Sequence, residues 1–146
     1  MATRRSIEID ELEVLNANDA FYRAMQSLDA AQMEAVWSHE DWVRCLHPGW
    51  ELLQGWEAVQ ESWGHIFNST MELRVSISRP LVSVFGDTGW ISCIEHVTSS
   101  FEGDFSTSRV EATNIFVRHR NRWLLVHHHT TPLPDQTFPG TTRSVQ

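Results

Sequence analysis

The chain is predicted to be an α+β fold, with three N-terminal helices packed on one face of a curved antiparallel sheet. Three observations predict this. Most of the first half carries apolar residues at three- and four-residue steps. From Met71 onward apolar and polar residues alternate instead. The alternating runs are joined by short turns, which imply antiparallel neighbours, and helices kept apart from strands imply a layer on one sheet face. Such an arrangement encloses a cone with an open mouth, a natural small-molecule pocket. A chain of 146 residues is expected to form one domain. Its core is expected over residues 7–132, with residues 133–146 as a polar tail.

The elements follow in order. Val14, Ala17, Phe21, Met25 and Leu28 form one stripe, predicting a helix over Ile7 to Leu28. Glu8, Asp10, Glu11 and Glu13 are expected to sit at its dipole-favoured start. Asp29 reads as the N-cap of a second helix, Ala30 to Trp37. Trp42 to His47 alternates as a short strand ended by Pro48 and Gly49. Gly55 to Phe67 returns to helical spacing through Val59, Trp63, Ile66 and Phe67. Met71 to Ile77 and Leu81 to Phe85 read as strand, with Pro80 as a break or bulge between them. Trp90 to Ser99, Thr107 to Arg118 and Trp123 to Thr130 are the remaining strands.

Charge and composition narrow the function classes. The net charge of −8 opposes nucleic acid and anionic membrane as partners. All basic residues are arginine, so Schiff-base and P-loop chemistry lack their lysine. Cys45 and Cys93, isolated from each other, suit a reducing, cytoplasmic setting rather than a disulfide framework. Met1 to Ile9 has no apolar signal core. Seven tryptophans are expected to line a core, a cavity or an interface.

Several polar residues stand in apolar surroundings. In "WISCIEHV", Glu95 shares a face with Ile91, Cys93 and Val97. A buried carboxyl there is a candidate acid/base with a raised pKa, or else an ion-pair partner of an arginine such as Arg109. Asn114, between Thr113 and Ile115, can orient a carbonyl or hydroxyl oxygen. Trp50, after the His47-Pro48-Gly49 turn, is a candidate cavity wall. In "VHHH", a regular strand turns His127 and His129 one way with Trp123 and Leu125, and His128 the other way with Leu124 and Val126. The three side chains therefore cannot close on one metal. The His127/His129 pair with Glu95 as third ligand is the one metal geometry left open.

Three stretches, "LHPGWELLQGWEAVQESWGHIF", "WISCIEHV" and "ATNIFVRHRNRWLLVHHHTTP", resemble the SnoaL-like branch of the nuclear transport factor two-like superfamily. The resemblance covers Leu12 to Pro132. It implies a cystatin-like cone and a homodimer formed through the sheet. It implies neither a metal nor a cofactor, and it spans isomerases, cyclases, dehydratases and non-catalytic modules. Against the isomerase pattern, His47 stands where an aspartate general base is found, and an imidazole can serve there. Phe21 stands where an oxyanion-stabilising tyrosine is found. Tyr22 is one position, about 100°, away and is expected at the rim. The expected catalytic residues are His47 and Glu95. Asn114, His127, His128, His129, Trp50 and Tyr22 are expected ligand contacts, with no cofactor. Either cofactor-free acid/base chemistry on a compact organic molecule or a non-catalytic binding or dimerisation role fits this set.

Overall fold

The computed structural model describes residues 3–134, so residues 135–146, most of the expected tail, lie outside the described residues. The first helix, α1, runs Arg4–Ser27 and is capped by the Thr3 hydroxyl, which accepts from the Ser6 amide. It starts three residues earlier than the apolar stripe suggests. Its acidic residues therefore lie beyond the first turn, where a dipole contribution has largely faded. Helix α2 (Ala30–Val36) begins at Asp29, whose carboxylate accepts from the Ala31 amide. Helix α3 (Trp56–Asn68) starts after Gly55, whose φ of 91° favours glycine.

The strands are β1 (Arg44–Leu46), β2 (Leu53–Gln54), β3 (Glu72–Phe85), β4 (Thr88–Phe101), β5 (Asp104–His119) and β6 (Arg122–Pro132). They form one sheet in the order β2-β1-β6-β5-β4-β3. The expected antiparallel sheet is in fact mixed, because β1 runs parallel to β6, with Cys45 opposite His128. No tight turn links these two strands, so hairpin geometry does not constrain their direction. The two-residue β2 gave no periodic signal. The β5–β6 turn places Arg120 and Asn121 at φ 50° and 65°, the left-handed pair of a type I′ hairpin. At Arg79-Pro80 the β3 register shifts, so the two predicted runs are one strand with an irregularity.

The helices cover the inner sheet face. Phe21 is fully buried at the centre, 4.9 Å from the His128 ring and 5.8 Å from Trp63 between centroids. A methyl group at Gly89 would stand 2.6 Å from Val14 Cγ2, so glycine there allows α1 to lie directly on β4. Arg118 clamps the same N-terminal half of α1 one turn earlier, with two bonds to Asp10 and one to Asp87, and covers the Trp123 ring.

Candidate functional site

The inner face holds a row of paired residues running across four strands: Ile91 (β4), Asn114 (β5), His128 (β6) and Cys45 (β1). All four are buried. Glu95 stands four residues along β4 from Ile91, on the same face. Helix α1 lowers Asn18 and Tyr22 onto this row. Four residues apart, they project from one side of the helix.

These side chains form one connected hydrogen-bond network branching at Asn114. The Tyr22 hydroxyl donates to Glu95 Oε2 at 2.7 Å. That uses its only hydrogen, so Tyr22 receives the Asn114 amide N–H at 3.0 Å. The second Asn114 N–H donates to Asn18 Oδ1 at 2.8 Å. Asn114 Oδ1 is then left as the acceptor for His128 Nδ1–H at 2.6 Å. The His128 lone pair therefore sits on Nε2, 3.8 Å from Glu95 Oε2. This separation is too long for a hydrogen bond and close enough for each group to feel the other's charge.

Burial sets the protonation of the network. Desolvation raises Glu95 to about 7, the Tyr22 bond acting the opposite way. It pushes His128 well below the ordinary imidazole value, reinforced by the charges of His47, His127 and His129. Near neutral pH the network is thus a carboxyl group close to its midpoint beside a neutral imidazole. Tyr22 is held well above the usual phenol range by burial and then by Glu95. Burial also pushes the Cys93 thiol up to about 11.

His47 lies beside this network rather than in it, its ring 6.5 Å from that of His128. Its Nε2 is 2.8 Å from Ser62 Oγ, and burial lowers its pKa to about 4. Trp50 and Trp63 meet it edge-on at 4.9 and 4.6 Å. On the solvent side a cleft of about 420 Å³ is lined by Trp50, Leu53, Ala58, Glu61, Ser62 and His65. Ser62 thus stands between open cleft and buried histidine.

Three expectations change. Tyr22 is not at the rim: α1 buries a face wide enough to take both Phe21 and Tyr22, and Tyr22 carries the central hydroxyl. The strand carrying the histidines is not regular. Register moves from Phe116–Leu125 to Ile115–His127, leaving Val126 as an extra residue. This bulge puts His128 on the inner face with Trp123 and Leu125, the face expected for His127 and His129. His127 and His129 point outward, their rings stacked 5.5 Å apart, on the face opposite Glu95. The metal geometry that joined them to Glu95 is therefore excluded, and no cluster of three or more potential ligands occurs among the described residues. Nor does Glu95 pair with Arg109, which instead donates to the Pro134 carbonyl.

Sequence reasoning missed Asn18 and Ser62. Asn18 had a signal in the Val14, Asn18, Tyr22 spacing. Ser62 had only its place beside Trp63 in an apolar helix, which does not distinguish it from a solvated serine.

A cone of three helices over a mixed sheet, with polar side chains gathered inside, defines the class of nuclear transport factor two-like domains. The SnoaL-like domain model matches residues 14–135, and the chain belongs to that family. A solved structure from Streptomyces avermitilis, a candidate dehydratase of the nuclear transport factor two-like family, is 33% identical. It superposes with a TM-score of 0.82 over 87% of this chain and 98% of that one. A candidate calcium/calmodulin-dependent protein kinase type II association domain from Thiobacillus denitrificans is 30% identical, with a TM-score of 0.66 over 81% and 93% of the two chains. The F-box protein SKIP8 of Arabidopsis thaliana is 25% identical over 118 residues, 81% of this chain. The chain spans about half the length of that curated relative, 48%. No described helix is long and apolar enough to cross a membrane.

Proposed function

We propose that this protein binds a compact, oxygen-bearing organic molecule and performs cofactor-free acid/base chemistry on it, of the dehydratase or isomerase type. The observation that carries this reading is the Glu95–His128 pair. It places a proton donor poised near neutral pH 3.8 Å from an imidazole lone pair, inside a water-poor interior. In a dehydration, His128 Nε2 takes the proton next to a carbonyl while Glu95 protonates the departing hydroxyl. The C–H and C–O bonds break, a C=C bond forms and water leaves. The proton on His128 then returns to Glu95. Asn114 and Tyr22 hold the pair in place, and His47 is the second candidate base. Trp37 Nε1 and Trp63 Nε1 are buried donors without partners among the described residues, which suits a ligand rich in acceptor oxygens. The likeness to a candidate dehydratase points the same way. The setting is cytoplasmic, which the two buried free thiols suit.

The test incubates the protein with a panel of cyclic β-hydroxy ketones in D2O. Turnover shows as enone absorbance, and proton transfer as deuterium entering next to the carbonyl. Enone formation should be lost in Glu95→Gln, which removes the acid, and deuterium entry in His128→Gln, which removes the base. Compounds that bind yet are neither dehydrated nor exchanged would contradict the catalytic reading.

A second reading, a non-catalytic association module, has its own support. The outer sheet face sets Trp90, Ile115 and His127 side by side, and Trp90 is exposed. That row suits a homodimer formed through the sheet. Trp90→Glu should give a monomer in sedimentation while leaving proton exchange in place. A wild-type monomer removes the dimer. A dimeric wild type without exchange favours the association role.

A further inference from the structure

The contact between His47 and Ser62 fixes more than a distance. A serine hydroxyl carries one hydrogen. Ser62 gives its hydrogen to the Val59 carbonyl, 2.7 Å away and three residues back along α3. The His47 Nε2 contact to the same oxygen is 2.8 Å. With the serine hydrogen already committed, the hydrogen in that contact belongs to the imidazole. His47 is then the Nε2–H tautomer, and its lone pair is on Nδ1. The opposite tautomer would set two lone pairs face to face, or force Ser62 to abandon Val59. The ring cannot readily turn to escape, because Trp50 and Trp63 press on it edge-on. Cys45 Sγ lies 3.9 Å from Nδ1 and 3.7 Å from Nε2, a weak partner to either nitrogen that leaves the Nδ1 lone pair available.

We infer that Ser62 is a positioning residue: it locks His47 in the Nε2–H tautomer and so makes Nδ1 the proton-accepting nitrogen beside the buried network. Ser62 does this from the wall of the Trp50/His65 cleft, so a molecule entering there meets the group that sets the base before it meets the base. The functional meaning of the lock rests on the acid/base reading above; the tautomer does not.

The experiment is long-range proton–nitrogen correlation NMR on ¹⁵N-labelled protein near neutral pH. Wild type should show His47 as one neutral tautomer, protonated at Nε2. Ser62→Ala should show a mixture of tautomers, and Ser62→Thr, which keeps the hydroxyl, should restore the single form. If Ser62→Ala does not fold, Ser62→Cys, a weaker acceptor, reads the same balance. Ketone proton exchange carried by His47, the second candidate base, should fall about tenfold in Ser62→Ala, the equivalent of one hydrogen bond, and recover in Ser62→Thr; an exchange rate unchanged alongside a changed tautomer upholds the lock and assigns the exchange to His128. A wild-type protein protonated at Nδ1, or an unchanged tautomer in Ser62→Ala, overturns the inference. A changed tautomer in a protein that exchanges no ketone protons at all upholds the lock and removes the acid/base reading instead.

Discussion

The two faces of β6 carry the same residue type to opposite ends. His128 on the inner face is buried, bonded through Nδ1 and kept neutral. His127 and His129 on the outer face stack on each other and reach the polar interior only through their charges, which help to hold His128 neutral. Chemistry does not separate them, since all three are imidazoles in one tripeptide. What separates them is one extra residue, Val126, which decides which of them meets Asn114. A histidine in this fold acquires unusual acid/base properties from the surroundings its strand register gives it, and a bulge is enough to reassign that register.

Three substitutions break or sharpen this contrast, taken from the largest expected effect downward. Phe21→Ala removes the ring on which Tyr22, Trp63 and His128 all pack, so the inner face loses its central support. A loss of about 3–5 kcal/mol is expected in urea unfolding, the usual range for a buried phenylalanine. A loss below about 1 kcal/mol would mean that the interior collapses around the gap and is less rigid than described.

Glu95→Gln comes next, read through the pH dependence of stability. Glu95 titrates at about 7 when folded against an ordinary 4.5, so the folded state holds its proton more tightly than the unfolded chain. Its contribution is fully present below pH 4.5 and is lost as pH rises through 7. His47 works in the opposite sense. Its folded value of about 4 lies below the ordinary 6.5, so its contribution is lost as pH falls from 6.5 toward 4. Relative to Glu95→Gln, the wild type should therefore lose roughly 3 kcal/mol of stability between mildly acidic and mildly alkaline pH. Parallel stability curves for the two proteins would place Glu95 in a solvated setting.

The outer face should be nearly indifferent by comparison. Replacing His127 and His129 together by alanine is expected to change monomer stability by no more than about 0.5 kcal/mol each. The Glu95 titration should stay close to its wild-type course, because these rings lie across the sheet from it. A large stability loss would show that the outer face does more than bound the sheet.

Much of the fold could be read from the chain, because periodicity reports burial and burial determines the elements. The three helices, the long strands and the turn at Arg120-Asn121 each left such a trace. What could not be read was set by tertiary contacts. The parallel pairing of β1 with β6 joins segments 83 residues apart in register, as Arg44 to His127, and no local pattern encodes its direction. Val126 is apolar in an apolar run, so its extra place in the ladder leaves no mark on composition. At the site, Glu95 and Asn114 stood out because polar groups in apolar strands are costly unless partnered. Tyr22 was placed wrongly because a single apolar stripe was assumed, whereas α1 is wedged deeply enough to bury neighbouring positions. Ser62 gave no signal, since its role depends on an imidazole fifteen residues away.

The central claim is that Glu95 is a buried acid near its midpoint at neutral pH, held by Tyr22 beside a neutral His128. The most direct test is a pH titration of the Glu95 carboxyl carbon by ¹³C NMR, in wild type and in Tyr22→Phe. The account predicts a wild-type midpoint near 7, moved higher in Tyr22→Phe because the hydrogen bond that favours the carboxylate is gone. A wild-type midpoint close to the ordinary 4.5, unmoved by the substitution, would contradict it.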